Sequence, residues 1–313
     1  MTLVADLKAR AAELGFLACG ITDPSPTPNG DRLDAWLAKG YGGTMRYLHR
    51  QARRRKNPRL NVPESLAVVV VLENYYSPDS AADLVAPRVA KYARGEDYHR
   101  VTLGRLDRLA GFLLERGARV ARPYADDGPV PERELARRAG LGWIGKNTML
   151  IRPGAGSFCF IGTIFTDLPL PPDPPFEDEH CGTCTRCLDA CPTGAFVEPH
   201  VLDATRCISY LTIEQKGPIP AELADRLEGW AFGCDICNDV CPWNLRFAEP
   251  TTVAELLPRR PPDGIGEADF DAMDEDEFRR RYEDTPFARP GLPGMRRNVR
   301  AALASRRREP SAS

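Results

Sequence analysis

Apolar residues at Leu3, Leu7, Ala11 and Leu14 recur at helical spacing and predict a helix at the start of the chain. Leu66 to Leu72 is a continuous apolar run. It is too short to span a membrane and predicts a buried strand. Ala118 to Tyr124 and Phe158 to Phe165 predict two more strands, and Leu103, Leu106, Leu109 and Leu113 mark an amphipathic helix before them. Pro131 to Ala139 predicts a helix, with Pro131 near its first turn and Gly140 as its stop. Helical and strand patterns alternate through this first part, which reads as an α/β layer. The proline-rich stretch Pro169 to Pro175 predicts a stiff linker and a domain boundary. Helices are expected again over Asp274 to Tyr282 and Met295 to Ala304. The expected domains are 1–168, 169–248 and a helical segment with a basic tail over 249–313.

The net charge is −2, but it is unevenly spread. Residues 1–152 hold 25 Lys and Arg against 17 Asp and Glu, while residues 153–313 hold 17 against 27. A basic half in a near-neutral protein suggests an anionic partner on that half. The densest run is Arg53-Arg54-Arg55-Lys56, with Arg46, Arg50 and Arg59 around it. A solvated helix face explains that run alone equally well. A second basic group, Arg296, Arg297, Arg300 and Arg306 to Arg308, ends the chain and is expected to be a tail beyond Ala304. The chain opens directly into its first helical pattern with no targeting segment, so a cytoplasmic, membrane-free protein is expected.

Eight of the ten cysteines change the picture. They run Cys181-x2-Cys184-x2-Cys187-x3-Cys191-Pro192 and Cys234-x2-Cys237-x3-Cys241-Pro242, with Cys207 between. Two-residue spacers bring three thiolates onto one small volume, and in the bacterial ferredoxin pattern the cysteine before proline ligates the other cluster. Cys181, Cys184, Cys187 and Cys241 are therefore expected to hold one [4Fe-4S] cluster. Cys191, Cys234 and Cys237 hold the other, and Cys207 is the nearby candidate for its fourth ligand. Zinc prefers two pairs separated by a longer loop, and disulfides do not suit a reducing compartment. Cys19 and Cys159 stand alone and read as small buried apolar residues.

A second group of candidates lies outside the cysteines. Asp126-Asp127-Gly128-Pro129 sits between a predicted strand and a predicted helix, where ligand-contacting loops occur. A turn and a helix start account for either carboxylate alone. Gly140 to Thr148 contains Gly142, Gly145, Lys146 and Asn147. Its glycines would let backbone approach a large cofactor closely, with a charge and an amide beside them. Tyr92, Asp97, Tyr98 and His99 add further polar candidates, although a structural histidine is the commoner outcome.

Taken together these segments resemble the epoxyqueuosine reductase family. The residues that carry the likeness are Tyr92 to His99, Asp126 with Pro129, Ala139 to Thr148, Cys207 to Glu214, Gly233 to Asn244 and Arg296-Arg297-Asn298. The resemblance implies an α+β or α/β fold in which a nitroreductase-like cobalamin-binding domain is followed by a ferredoxin-like two-cluster domain. It implies two [4Fe-4S] clusters, a cobalamin, and reduction of an epoxide on the wobble base of tRNA. It makes Asp126 the proton donor, with Asp127 its competitor in the alignment, and supports Cys207 as a ligand. It also implies cofactor contacts at Gly142, Gly145, Lys146, Asn147, His99, Ser209 and Asp235. The expected partners are a tRNA anticodon stem-loop and an unidentified electron donor, with the chain itself a monomer. Two other classes stay open: a reductive dehalogenase-like enzyme acting on a small molecule, and a non-catalytic electron-transfer or cobalamin-handling protein. The basic half speaks against the first. In the second, Asp126 would be only a turn former.

Overall fold

The computed structural model describes residues 2–85, 87–259 and 266–307. Helix α1 (Leu3–Glu13) leads into β1 (Ala18–Thr22), helices α2 (Gly30–Ala38) and α3 (Arg46–Lys56), and strand β2 (Ala67–Asn74). A short strand β3 (Arg88–Val89) precedes α4 (Tyr98–Glu115), β4 (Ala121–Tyr124) and α5 (Glu132–Arg138). The hairpin β5 (Trp143–Ile144) and β6 (Leu150–Ile151) is followed by β7 (Cys159–Thr166). The cysteine-rich part carries α6 (Arg186–Asp189), the ribbon β8 (Phe196–Glu198) with β9 (Val201–Leu202), α7 (Ile208–Ile213) and α8 (Ala221–Ala224). Strand β10 (Trp230–Phe232), α9 (Ile236–Asp239) and α10 (Pro242–Phe247) complete it. Helices α11 (Glu267–Ala272), α12 (Glu275–Tyr282) and α13 (Gly291–Arg307) close the described chain. Arg308, the end of the expected basic tail, lies outside the described residues.

The main sheet has strand order β1-β2-β7-β4, and every pair in it is antiparallel. The architecture is therefore mixed α+β. The alternation of elements along the sequence does not make a parallel sheet here. Strand β2 explains the long apolar run, because both of its faces are covered. Val69 and Val71 pack against Leu7, Leu106, Leu109 and Leu113, whereas Val68, Val70 and Leu72 pack against Leu135, Ala136 and Leu141. A strand buried on both faces has no polar alternation to show. Gly162 on β7 lets α4 approach closely, since a Cβ there would meet the Leu106 side chain at 2.8 Å.

The proline-rich stretch does not hang free between lobes. Asp173 accepts the Ile21 N–H at 2.8 Å and pairs with Lys8, and the Phe176 N–H bonds the Arg137 carbonyl at 2.9 Å. More consequential is a crossing in the other direction. Strand β3, from the amino-terminal half, pairs in parallel with β10 of the cysteine-rich part. The Arg88 N–H reaches Gly229 O at 2.6 Å, and the Ala90 N–H reaches Phe232 O at 2.9 Å. Val89 and Ala93 then share a core with Phe232, Phe270, Phe278, Phe287, Met295 and Val299.

The basic residues of α13 are structural over much of their length. Arg296 bonds the carbonyls of Phe270 and Met273, and Arg297 those of Leu211, Gln215 and Gly217. Asn298 is fully buried and donates to Thr212 O at 2.6 Å, so α13 supplies the missing partners at the carboxyl end of α7. Among the described residues no helix is long and apolar enough to cross a membrane. Asn298→Ala is expected to destabilise the protein by about 1–3 kcal/mol, because it strands a buried carbonyl. A drop in the unfolding midpoint checks this, with the α11–α13 region melting together with α7.

Candidate active site and cluster ligands

The eight cysteines of the motif fall into two neighbourhoods. The Cys187 thiol is pushed up to about 11 by burial and by the nearby sulfurs of Cys181, Cys241 and Cys184. Burial also raises Cys241, helped by Cys181 and Cys184 and opposed by the N–H groups of Trp243 and Asn244. In the second neighbourhood burial raises Cys234, Cys237 and Cys207. Cys234 then feels Cys237 and Cys207, Cys237 feels Cys207 and then Cys187 and Cys191, and Cys207 feels Cys191. Cys207, remote in sequence from both runs, is thus brought to Cys191, Cys234 and Cys237. The Ala195 N–H points at Cys191 Sγ at 3.4 Å, and those of Ser209 and Tyr210 at Cys207.

This donor set fits iron–sulfur clusters. A buried thiol resists ionisation until a cation is supplied, and cluster iron supplies it. Among the described residues no three His, Cys, Asp or Glu side chains close on a single ion. A cubane binds each thiolate at a different corner, so its ligands need not meet at one point. The first loop is the outer one, with Gly182, Thr183, Thr185 and Arg186 exposed, whereas Gly233, Asp235 and Asn238 around the second are buried.

Beside the second neighbourhood lies a buried charge network. Lys91 is 2% exposed, and its Nζ donates to Asp79 at 2.8 Å and to Asp239 at 2.9 Å. Its N–H donates to Asp235 Oδ2 at 2.7 Å, and burial pushes the Asp235 carboxyl up to about 6 against the pull of Lys91. The next residue, Tyr92, is held well above its ordinary value by burial and by the charges of Asp235, Asp126 and Cys207, with a hydrogen bond to Ser209 opposing. Tyr92 packs in the apolar cluster that holds Cys207 and Cys234 and meets the ring of Tyr98, which bonds Asp126. The two rings meet edge-on at 5.9 Å, and Tyr98 stacks on Phe160 at 4.1 Å.

Asp126 is the focus of the loop between β4 and α5. It is a non-glycine residue at φ +60°, a conformation that costs on the order of 1–3 kcal/mol and is kept only where surroundings enforce it. The Tyr98 hydroxyl donates to Asp126 Oδ2 at 2.5 Å, and His99 Nε2 lies 3.7 Å from the same oxygen. The Asp126 N–H donates to Glu132 Oε1 at 2.7 Å. Burial pushes the Glu132 carboxyl up to about 8, and the Asp126 charge adds to it. Glu132 is only half-buried, so the upward direction is what counts. Burial opposes charge on His99, but the hydrogen bond and charge of Asp97, then Asp126 and Asp127, hold its pKa above the ordinary 6.5. The stability His99 contributes is therefore complete below that value and is lost as pH rises through the folded one.

Asp127 has a different role. Its Oδ1 accepts the Ala125 N–H at 2.9 Å, the geometry of a turn former. Arg55, the third residue of the basic run, turns inward and donates to Gly128 O at 3.3 Å and Val130 O at 3.2 Å. Arg46, His49, Arg50, Arg53 and Arg54 stay exposed on α3.

The glycine loop has other work than the expected one. A Cβ at Gly142 would collide with the Ile151 carbonyl and one at Gly145 with the Ile151 side chain, so the room is filled by β6. Lys146 donates to the carbonyls of Gly182 at 2.5 Å and Cys184 at 3.1 Å, and Asn147 to that of Cys237 at 3.4 Å. These side chains tie the amino-terminal lobe to the two cysteine loops. Of the other expected contacts, His99 lies beside Asp126, Ser209 meets Tyr92, and Asp235 holds the Lys91 backbone. Sequence reasoning missed Glu132 and Arg55. An acid in the first turn of a helix and an arginine in a basic run both look ordinary.

Residues 180–244 match the family described as 4Fe-4S double cluster binding domain, and residues 55–127 match epoxyqueuosine reductase QueG, DUF1730. The chain is 43% identical to the epoxyqueuosine reductase of Pseudomonas aeruginosa, covering 97% of this chain and 85% of the relative. Against that of Escherichia coli K12 the identity is 39%, over 97% and 81%. A crystal structure of epoxyqueuosine reductase with a tRNA-Tyr epoxyqueuosine-modified stem loop is similar at TM-score 0.86 and 32% identity, over 97% and 81%. The Bacillus subtilis enzyme, captured with its catalytic aspartate loop swung out of the active site, is similar at TM-score 0.83 and 31% identity, over 97% and 81%.

Cys207→Ala should lower iron after anaerobic reconstitution from about eight to about four atoms per chain, with the first cluster retained. Unchanged iron in that variant would remove Cys207 from the ligand set.

Proposed function

The chain belongs to the epoxyqueuosine reductase family, and on that premise we propose that it reduces epoxyqueuosine to queuosine at the wobble position of tRNA. Opening the epoxide to an alkene takes two electrons and two protons and releases water. Electrons enter through the two clusters, and the proton for the departing oxygen comes from this chain. The observation that carries the reading is Asp126, held by Tyr98, whose ring meets Tyr92, which in turn packs in the apolar cluster that holds Cys207 and Cys234.

The family resemblance implies a cobalamin between these groups, and the residues present fit one. Asp126 keeps 63% of its side chain exposed and His99 36%, so both offer accessible polar groups at the site. Tyr92, Ser209 and His99 would hold the group there, and when bound it would supply the strongly reducing chemistry that epoxide opening needs. The protein's own part is acid catalysis and positioning. Tyr98 donates to Oδ2, which leaves Oδ1 as the oxygen through which Asp126 would deliver a proton. The loop that carries Asp126 swings out in the Bacillus subtilis relative, and we read the present arrangement as the closed state of the same loop.

The anticodon loop is single-stranded, so its modified base can be splayed into a pocket without breaking a duplex. The exposed arginines of α3 would hold its phosphates. Arg55 does not belong with them, since it clamps the Asp126 loop from inside. The chain acts in this reading as a monomer served by a separate electron donor.

Two predictions follow from these roles. Asp126→Asn should slow single-turnover reduction by about a hundred- to ten-thousand-fold while both clusters and tRNA affinity persist. Asp127→Asn should change the rate little, because its amide still accepts the Ala125 N–H. A normal rate in Asp126→Asn would return that residue to a turn former. The double change Arg53→Glu with Arg54→Glu should weaken binding of modified and unmodified stem-loops alike and flatten its salt dependence. Unaltered affinity in a filter-binding titration would move the tRNA face off α3.

A further inference from the structure

We propose that Glu132 is a positioning residue that latches Asp126 over the site, a reading that rests on Asp126 being the proton donor. The Asp126 side chain is largely exposed, so packing does not fix it. Its backbone is left-handed, a conformation uncommon outside glycine though aspartate is among the residues that adopt it most readily. The neighbouring loop residues are clamped from several sides. Arg55 holds the carbonyls of Gly128 and Val130, Asn61 that of Pro129, and Asp127 the N–H of Ala125. None of these clamps touches Asp126. Its own backbone tie is the N–H donated to Glu132 Oε1 at 2.7 Å.

Glu132 is well placed to be the fixed partner. It opens α5, whose next turn carries the buried Leu135 and Ala136 into the core beneath the sheet. The acceptor is thus mounted on a rigid element while the acid it holds sits on a loop. The Glu132 side-chain oxygen can accept that N–H whether or not the carboxyl is ionised, so the contact rests on where the helix places the acceptor. The bland alternative is that Glu132 is an acid favoured at any helix start. That alternative leaves the Asp126 N–H indifferent to what stands at 132.

The test compares Glu132→Ala, Glu132→Gln and Glu132→Asp in the full, cluster-loaded chain. Hydrogen–deuterium exchange of the peptide spanning 124–131, read by mass, is the direct measurement. Removing the acceptor in Glu132→Ala should speed exchange there about tenfold or more. Glu132→Gln should restore slow exchange, because its amide oxygen still accepts. Glu132→Asp keeps the charge and the helix start but withdraws the acceptor. It should exchange fast as well, so it carries the test if the alanine variant fails to fold. Misplacing a catalytic group lowers turnover steeply, so Glu132→Ala should reduce the single-turnover rate by about a hundredfold with tRNA affinity unchanged. Unaltered exchange in both the alanine and aspartate variants would overturn the latch. Fast exchange with undiminished turnover would keep the contact and overturn Asp126 as the donor.

Discussion

Everything at the site depends on one short crossing, where residues 88–92 leave the amino-terminal lobe and are gripped by the cysteine-rich part. Two backbone hydrogen bonds to Gly229 and Phe232 set the register, and the Lys91 N–H to Asp235 continues it into the second cysteine loop. Register matters because a slip of one residue turns every side chain to the opposite face. In the observed register Val89 enters the carboxyl-terminal core and Lys91 enters the charge network. Tyr92 is then packed with Cys207 and against Tyr98, the partner of Asp126. A buried lysine is tolerated there because Asp79 and Asp239 meet it directly. Loss of either partner class would leave an uncompensated charge.

The same lock explains why the carboxyl-terminal helix is more than a tail. Strand β10, which grips the crossing, packs beneath α13 in the core that holds Met295 and Val299. Arg297 and Asn298 of α13 finish α7, the helix that begins at Cys207. Cys207, the expected fourth ligand of the second cluster, is thereby supported by residues about ninety positions later in the chain. The first cysteine loop is held from the opposite side by Lys146. The two lobes are joined around the cysteines rather than by the proline-rich stretch, which lies along the amino-terminal lobe.

Local signals carried the sequence reading where the chemistry is itself local. Cysteine spacing pointed to two sets of four, and in the structure Cys207 packs in one apolar cluster with Cys234 and Cys181 in another with Cys241. The strands around Val68 and Ile164 were legible from their unbroken apolar runs. Strand direction was not legible, since helix–strand alternation does not reveal whether Ala67–Asn74 pairs parallel or antiparallel with its neighbours. Gly142 and Gly145 read as space for a ligand because a sequence shows that room exists and not that Ile151 fills it. Arg55 was indistinguishable from Arg53 and Arg54, since only the fold turns one residue of the run toward Gly128. Asp126 and Asp127 separate for the same reason: adjacent carboxylates in one turn point to different partners, Tyr98 for the first and Ala125 for the second.

In the proposed reaction electrons enter at the exposed first loop, pass to the buried second set, and would meet a proton given by Asp126. This reaction is tested most directly by one anaerobic turnover of the reduced, cobalamin-loaded protein on an epoxyqueuosine-bearing anticodon stem-loop, with the modified nucleoside then weighed by mass spectrometry. The predicted result is a nucleoside lighter by the mass of one oxygen atom, with its epoxide replaced by a ring double bond. A nucleoside of unchanged mass, recovered from protein whose clusters were reduced and whose stem-loop was bound, would contradict it.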